Sequence, residues 1–142
     1  MLKAIHTWAL SGKPLYAECG GLMYLSKGIY DFDGHFYKMA QVFPFETVMK
    51  KGRVNLGYRE VRLLRDSILG RQGTVLRGHE FHYSEIKTNE PLPETVYQIN
   101  GRSRKKILEG YSIKNTLASY VHVHFGSNPD IPDNFINFSM ET

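Results

Sequence analysis

The chain has a single cysteine, Cys19, set within Tyr16-Ala17-Glu18-Cys19-Gly20-Gly21-Leu22-Met23-Tyr24-Leu25. An apolar, strand-like run from Pro14 to Ala17 enters it, and two glycines followed by a helix-forming run leave it. A strand-to-helix turn of this kind holds its central residue up at a helix N-terminus, the arrangement of a nucleophile elbow. The helix dipole is expected to lower the thiol pKa there and to make a thiolate available near neutral pH. The chemistry within reach is nucleophilic attack on an acyl carbon.

Such a cysteine needs a base within hydrogen-bond reach. The chain has six histidines. His6 falls on a helical pattern and His35 follows a turn, so both read as surface residues. The other four come as His79-Glu80-Phe81-His82 and His122-Val123-His124. Alternate residues of a strand point to the same side, so His122 and His124 are expected to share a face. They could serve Cys19 as a base, or join it with His79 or Glu80 around a metal ion. The spacing matches no closed zinc motif, so no metal is expected. A strand histidine is also commonly a partly buried, hydrogen-bonded residue. The stretch Arg77-Gly78-His79-Glu80-Phe81-His82-Tyr83-Ser84 reads as a polar strand entry or as a loop that binds substrate or supports the nucleophile.

The elements that must position these residues follow from periodicity and turn chemistry. Leu2, Ile5, Trp8 and Ala9 repeat at helical spacing up to Gly12, which predicts a helix over 2–11. Pro14 to Glu18 reads as a buried strand, Leu22 to Lys27 as a helix, and Asp31-Phe32-Asp33-Gly34 as a turn. The middle is rich in aromatic and β-branched residues, predicting strands over 39–49, 52–64, 74–77, 81–87 and 96–99. Asn100-Gly101 is the clearest hairpin turn. Ala118 to Phe125 reads as one further strand, followed by turns and a single helical turn at Asn134 to Phe138. The sum is an α/β domain with additional antiparallel β elements. About a dozen residues precede the elbow strand, whereas such a strand usually lies central in a parallel sheet behind at least one βα unit.

With 142 residues, 42% hydrophobic and 23% charged, the composition is that of one ordinary globular domain. No run approaches the roughly 20 apolar residues that span a bilayer. The N-terminus lacks the apolar core of a signal peptide. One cysteine excludes an internal disulfide framework and suits a reducing cytoplasm. The net charge of +4 arises partly from clusters at Lys50-Lys51-Gly52-Arg53, Arg59 to Arg65 and Arg102 to Lys106. These read as a solvated surface, or as attraction to an acidic substrate or partner. No other feature resembles a nucleic-acid-binding motif, so neither nucleic acid nor membrane is an expected partner.

Three segments together, 16–25, Gly78-His79-Glu80-Phe81-His82-Tyr83-Ser84 and Ser119-Tyr120-Val121-His122-Val123-His124-Phe125, resemble the cobyrinate a,c-diamide synthase family. They are similar to its C-terminal glutamine amidotransferase domain, of the cobyrinate and cobyrate synthase type. Gly57-Tyr58-Arg59-Glu60 fits as well, and the resemblance covers nearly the whole chain. It implies a class I glutamine amidotransferase-like, flavodoxin-like sheet and glutaminase chemistry. Cys19 would attack the side-chain amide of glutamine, a γ-glutamyl thioester would form, and ammonia would leave for an ATP-activated carboxylate of a corrinoid. His122, at the histidine position of the family's Tyr-x-His-x-x-Phe pattern, would activate the thiol. The Gly20 N–H would supply half of the oxyanion hole. Glu18, His79, Glu80, His82 and His124 are candidate pocket residues, with Glu80 a candidate to orient an active-site group.

The resemblance also implies parts outside this sequence. Many class I amidotransferases complete a triad with a glutamate two residues after the histidine. That position here is His124, so a Cys-His dyad is expected. The family's ATP-binding domain carries a phosphate-binding loop, and no Gly-x-x-x-x-Gly-Lys-Ser/Thr pattern occurs in this chain. The expectation is thus a partial amidotransferase domain over 1–142, truncated at its N-terminus and clipped after Asn128. It would bind no cofactor itself, with ATP and Mg2+ used by a separate synthetase domain or subunit. The first strand and the loop giving the second oxyanion contact would lie upstream of Met1. Exposed sheet surface would then favour a homodimer or a partner chain. The acceptor could be a corrinoid or another tetrapyrrole such as nickel sirohydrochlorin. Loss of one oxyanion donor, which costs about 10²–10³ in rate, would leave an impaired domain.

Overall fold

A computed structural model describes residues 1–52, 55–100 and 106–141. Helix α1 spans Leu2–Leu10, strand β1 Leu15–Glu18 and helix α2 Gly20–Leu25. Strands β2 (Gly28–Tyr30), β3 (Phe36–Lys38), β4 (Glu46–Met49), β5 (Asn55–Leu63) and β6 (Val75–His82) follow. Then come β7 (Ser84–Lys87), β8 (Glu94–Asn100), β9 (Lys106–Ile113), β10 (Thr116–Ser119) and β11 (Val121–Val123). A 3-10 turn at Phe125–Ser127 leads into helix α3, Asp130–Glu141.

Among the described residues seven strands form one sheet in the order β1-β10-β9-β8-β5-β6-β11, and four form a second in the order β3-β2-β4-β7. β1 and β10 run parallel, with Glu18 opposite Ser119, and the rest of the large sheet is antiparallel. This is the mixed α/β architecture with antiparallel additions that the sequence pattern suggests. The elbow strand β1 is the outermost of the described strands in its sheet rather than central.

Alternation along a strand feeds two cores, one on each face of the large sheet. On β10, Leu117 packs with Leu63, Leu76, Ile99 and Ile131, with Phe135 and Phe138 of α3 against them. Its neighbour Ala118 belongs to the opposite cluster, with Ala9 of α1, Leu22 and Leu25 of α2, and Phe43 and Phe45. Burying a Leu or Phe side chain fully contributes about 1.5–3 kcal/mol, so these two layers hold the elbow from both sides. Ile5 and Ala9 turn inward on α1 as helical spacing predicts, but Trp8 is half exposed, its Nε1–H donated to the Pro14 carbonyl.

Several elements differ from the sequence expectation. The expected strand over 39–49 is a strand only at Glu46–Met49; before it Gln41 takes a left-handed φ of 58° and breaks the ladder. The expected helix over 22–27 starts earlier, at Gly20, and stops at Leu25. The tail forms a full helix, α3, rather than one turn, because Asn128 Oδ1 accepts the Asp130 N–H and Pro132 sits in the first turn, where its missing donor costs nothing. β9 carries no clear apolar alternation, since Glu109 and Gly110 stand buried in its middle. The Asn100-Gly101 turn and most of the 102–106 cluster lie outside the described residues, although Asn100 does pair with Lys106.

The expected strand over 118–125 is two strands that change partners. β10 pairs with β1 and β9, while β11 pairs with β6. Between them Tyr120 leaves the ladder, and its N–H is donated to Glu109 Oε1 at 2.8 Å. β11 ends at Val123 and His124 caps the 3-10 turn, so His122 and His124 do not share a strand face.

Candidate active site

Cys19 caps α2 with φ 49° and ψ −105°. A left-handed φ is strained for a residue with a Cβ and persists only where the surroundings impose it. Here the Cys19 N–H is donated to the Ser119 carbonyl at 2.7 Å, extending the β1–β10 ladder by one bond, while the Cys19 carbonyl accepts the Met23 N–H. Gly21 lets the helix lie close to its strand, since a Cβ there would stand 3.1 Å from the Ala17 Cβ. The thiol is half-buried and donates to the Phe81 carbonyl at 3.6 Å.

The sequence predicts a lowered thiol pKa, and the structure corrects this. Burial pushes the Cys19 thiol up, and the Glu18 charge pushes the same way; the Gly20 N–H directed at the sulfur pulls down but does not prevail. One helical turn cannot outweigh desolvation of a thiolate beside a carboxylate. Cys19 at rest is thus held as the protonated thiol.

His122 lies on β11, directly opposite His79 of β6. The approach depends on Gly78, where a Cβ would stand 2.1 Å from the His122 carbonyl oxygen. The His79 and His122 rings stack with centroids 4.9 Å apart. His122 Nδ1 stands 3.5 Å from Glu18 Oε2. Glu18 Oε1 accepts both the Val123 N–H and the Tyr16 hydroxyl, each at 2.7 Å. Glu18 thus ties the end of β1 to β11, with Cys19 the next residue in the chain.

The other sequence candidates separate by face. Alternation puts His79 and Phe81 on the exposed side of β6 and Glu80 and His82 on its buried side. Glu80 is therefore not beside His122. It accepts from Arg59 Nε at 2.5 Å, with His82 Nε2 3.8 Å away. Burial would raise the Glu80 carboxyl, but His82 and the Arg59 guanidinium hold it below its ordinary value. His82 stacks on Tyr120 at 3.8 Å between ring centroids, and its Nδ1 pairs with the Ser84 carbonyl. Ser84 donates in turn to the Tyr120 hydroxyl at 2.9 Å. These residues brace the crossover beneath the elbow and do not line its open side. His124 is exposed, its N–H donated to the Arg77 carbonyl.

Sequence reasoning missed Glu109. It is buried on β9, receives the Ser119 hydroxyl at 2.5 Å and the Tyr120 N–H, and burial pushes its carboxyl up to about 7. An acidic residue inside an otherwise apolar and aromatic run was the available signal. Among the described residues of the expected basic clusters, Lys50 pairs with Glu85, Lys51 with Asp33, Arg65 with Glu94, and Arg59 with Glu80. Among the described residues, three metal-ligating side chains come together only at Asp31, Asp33 and His35. That grouping is a turn in which Asp31 Oδ1 accepts the Asp33 and His35 N–H groups. Cys19, His79 and Glu80 do not meet as such a group. A cavity of about 540 Å³, lined by Ser67, Arg71, Asn115 and Leu117, opens beside the start of β10 and touches none of the site residues. No described helix is long and apolar enough to cross a membrane.

Comparison with known proteins places the chain in a family. Residues 1–130 match the model of the CobB/CobQ-like glutamine amidotransferase domain. The chain is 45% identical over 141 residues to a cobyrinate a,c-diamide synthase of Syntrophotalea carbinolica, covering 97% of this chain and 31% of that protein. It is 43% identical over 137 residues to one of Dehalococcoides mccartyi, covering 94% and 29%. For one of Salmonella typhimurium the identity is 36% over 132 residues, covering 92% and 29%. The chain spans about three-tenths of the length of these curated relatives. Among solved structures, a glutamine amidotransferase aligns with a TM-score of 0.65 at 15% identity, over 98% of this chain and 68% of that one. Another, from Thermotoga maritima, aligns with a TM-score of 0.55 at 13% identity, over 99% and 52%. At such identities the likeness speaks to fold, which is that of the class I glutamine amidotransferases.

Proposed function

The chain belongs to the CobB/CobQ-like glutamine amidotransferase domain family, and from that premise we propose that it hydrolyses glutamine at Cys19 to supply ammonia to a cobyrinate a,c-diamide synthase reaction. The observation that carries this reading is Cys19 held in a strained conformation at the start of α2, with the Gly20 N–H aimed at its sulfur and His122 tethered by the neighbouring Glu18.

In this reading His122 takes the thiol proton at Nε2 as Cys19 Sγ attacks the side-chain carbonyl carbon of glutamine. The Gly20 N–H stabilises the oxygen that becomes negative. The C–N bond breaks, the proton on His122 goes to the departing nitrogen, and ammonia leaves a γ-glutamyl thioester. Water then attacks the thioester, giving up a proton through His122, and glutamate and the free thiol result. The acceptor is an activated carboxylate of a corrinoid, or of another tetrapyrrole such as nickel sirohydrochlorin. Activating it with ATP and Mg2+ falls to a synthetase portion, the larger part of the relatives' length. The turn into α2 does not suit ATP: Gly20 and Gly21 are followed by Leu22 and Met23, with no Lys-Ser/Thr to hold phosphate or Mg2+.

The test is covalent. Diazo-oxo-norleucine, a glutamine-analogue electrophile, should label Cys19 rapidly, glutamine should protect it, and Cys19→Ala should abolish labelling. With the synthetase portion supplied, wild type should release glutamate and Cys19→Ala should not. Sluggish labelling that glutamine leaves unchanged, with no glutaminase activity above Cys19→Ala, would overturn the proposal in favour of a non-catalytic domain that keeps the fold.

A further inference from the structure

We infer that Glu18, the residue directly before the nucleophile, is the positioning residue for His122 and takes the role that a glutamate two residues after the histidine would otherwise fill. The inference rests on the proposed glutaminase reading for its purpose, but its geometry stands independently. The position two residues after His122 is His124, which has left β11 and is exposed. The other acidic candidate, Glu80, lies on the buried side of β6 and is engaged by Arg59.

The two oxygens of Glu18 have separate tasks. Oε1 is held by two donors, the Val123 N–H and the Tyr16 hydroxyl. These bonds fix the carboxylate plane relative to β11. Oε2 is thereby presented to His122 Nδ1, 3.5 Å away. An ionised carboxylate only accepts hydrogen bonds, so the neutral imidazole facing it carries its proton on Nδ1. The lone pair is then on Nε2, the nitrogen that must accept the thiol proton. His79 closes one face of the ring by stacking.

Glu18 opposes the thiolate, pushing the Cys19 thiol up. It thereby couples the two halves of the pair: negative charge on sulfur beside the Glu18 carboxylate is opposed until the His122 ring takes up the proton. The consequence is proton transfer during attack rather than a standing thiolate.

Glu18→Gln separates positioning from structure. The amide oxygen can keep the Val123 and Tyr16 bonds, while the amide NH2 turned toward Nδ1 demands a lone pair there and moves the ring proton to Nε2. Nitrogen-15 NMR of the histidine ring should find the His122 proton on Nδ1 in wild type and on Nε2 in Glu18→Gln, with the melting temperature unchanged. Alkylation of Cys19 by iodoacetamide near neutral pH should slow by about 10²-fold, the scale of a lost general base, and Glu18→Asp should recover part of it. A wild-type ring carrying its proton on Nε2 overturns the inference whatever the variant does, including a variant that fails to fold. So does a Glu18→Gln protein whose His122 tautomer and alkylation rate match wild type. Neither readout uses glutamine, so failure here is distinct from failure of diazo-oxo-norleucine to label Cys19.

Discussion

The rings of His79 and His122 lie nearly parallel, 15° apart, with their centroids 4.9 Å from each other. The stack puts one half-buried and one exposed histidine side by side on the open face of two paired strands. Stacked rings are worth about 0.5–1.5 kcal/mol, enough to bias the orientation of His122 without fixing it alone. His79→Ala should therefore lower glutamine turnover by less than about tenfold and leave the melting temperature nearly unchanged. His79→Phe, which keeps a ring, should stay close to wild type. Steady-state glutaminase kinetics check both, and a loss beyond a hundredfold in His79→Ala would mean that His79 does more than stack.

Gly78 is where a small change should do the most harm. A methyl group there would stand 2.1 Å from the His122 carbonyl oxygen and 3.0 Å from a Val121 methyl. Backbone cannot give way as a flexible side chain does, so β11 must separate from β6. Gly78→Ala should cost about 1–3 kcal/mol and displace His122, lowering turnover far more than its stability loss explains. Denaturant unfolding alongside Cys19 labelling measures both effects. Wild-type labelling in a folded Gly78→Ala protein would contradict this account of the seat of His122.

Glu109 should make stability depend on pH with an unusual sign. Its carboxyl is pushed by burial from an ordinary value near 4.5 up to about 7 in the folded chain. Below about pH 4.5 both folded and unfolded states hold the proton, and Glu109 adds no slope. Between there and about pH 7 the unfolded chain releases it while the folded chain keeps it, so stability falls as pH rises, and levels off above. The loss should be on the order of 3–4 kcal/mol across the window. Glu109→Gln should flatten that part of the profile, as urea unfolding at a series of pH values would reveal. A variant with the same slope as wild type would assign it to other groups.

The raised thiol predicts the pH dependence of Cys19 itself. Iodoacetamide alkylation should keep accelerating past about pH 8.5, where an unperturbed thiol begins to level off. His122→Ala should lower the rate near neutral pH and converge with wild type in alkali, where the thiolate forms without a base. A wild-type plateau below pH 7 would instead reveal a standing thiolate–imidazolium pair.

Much of the site was legible in local sequence because local steric rules write it there. An apolar strand, a cysteine and two glycines before a helix-forming run can form few turns, so Cys19 as the elbow and the Gly20 N–H as its neighbour follow from residues 14–25 alone. Glycine at 21 and at 78 marks close backbone approach, but the sequence does not say what approaches. The Tyr-x-His-x-x-Phe pattern singles out His122 only through the family it resembles. The strand reading around it was wrong in detail, because Tyr120 leaves the ladder for the buried Glu109 eleven residues earlier, a contact that no local window contains.

What the sequence determined by itself is therefore the strand-to-helix turn that presents Cys19, since this depends on backbone conformations set by neighbouring residues. Tertiary structure decided the rest. It put Glu80 and His82 on the buried face and left Glu18 to hold His122. It also raised the Cys19 thiol rather than lowering it. Each of these depends on which strands pair and in what register, and on how much water burial removes. Both are properties of contacts between residues far apart in the chain, as between Glu18 and Val123, 105 positions apart yet joined by one hydrogen bond.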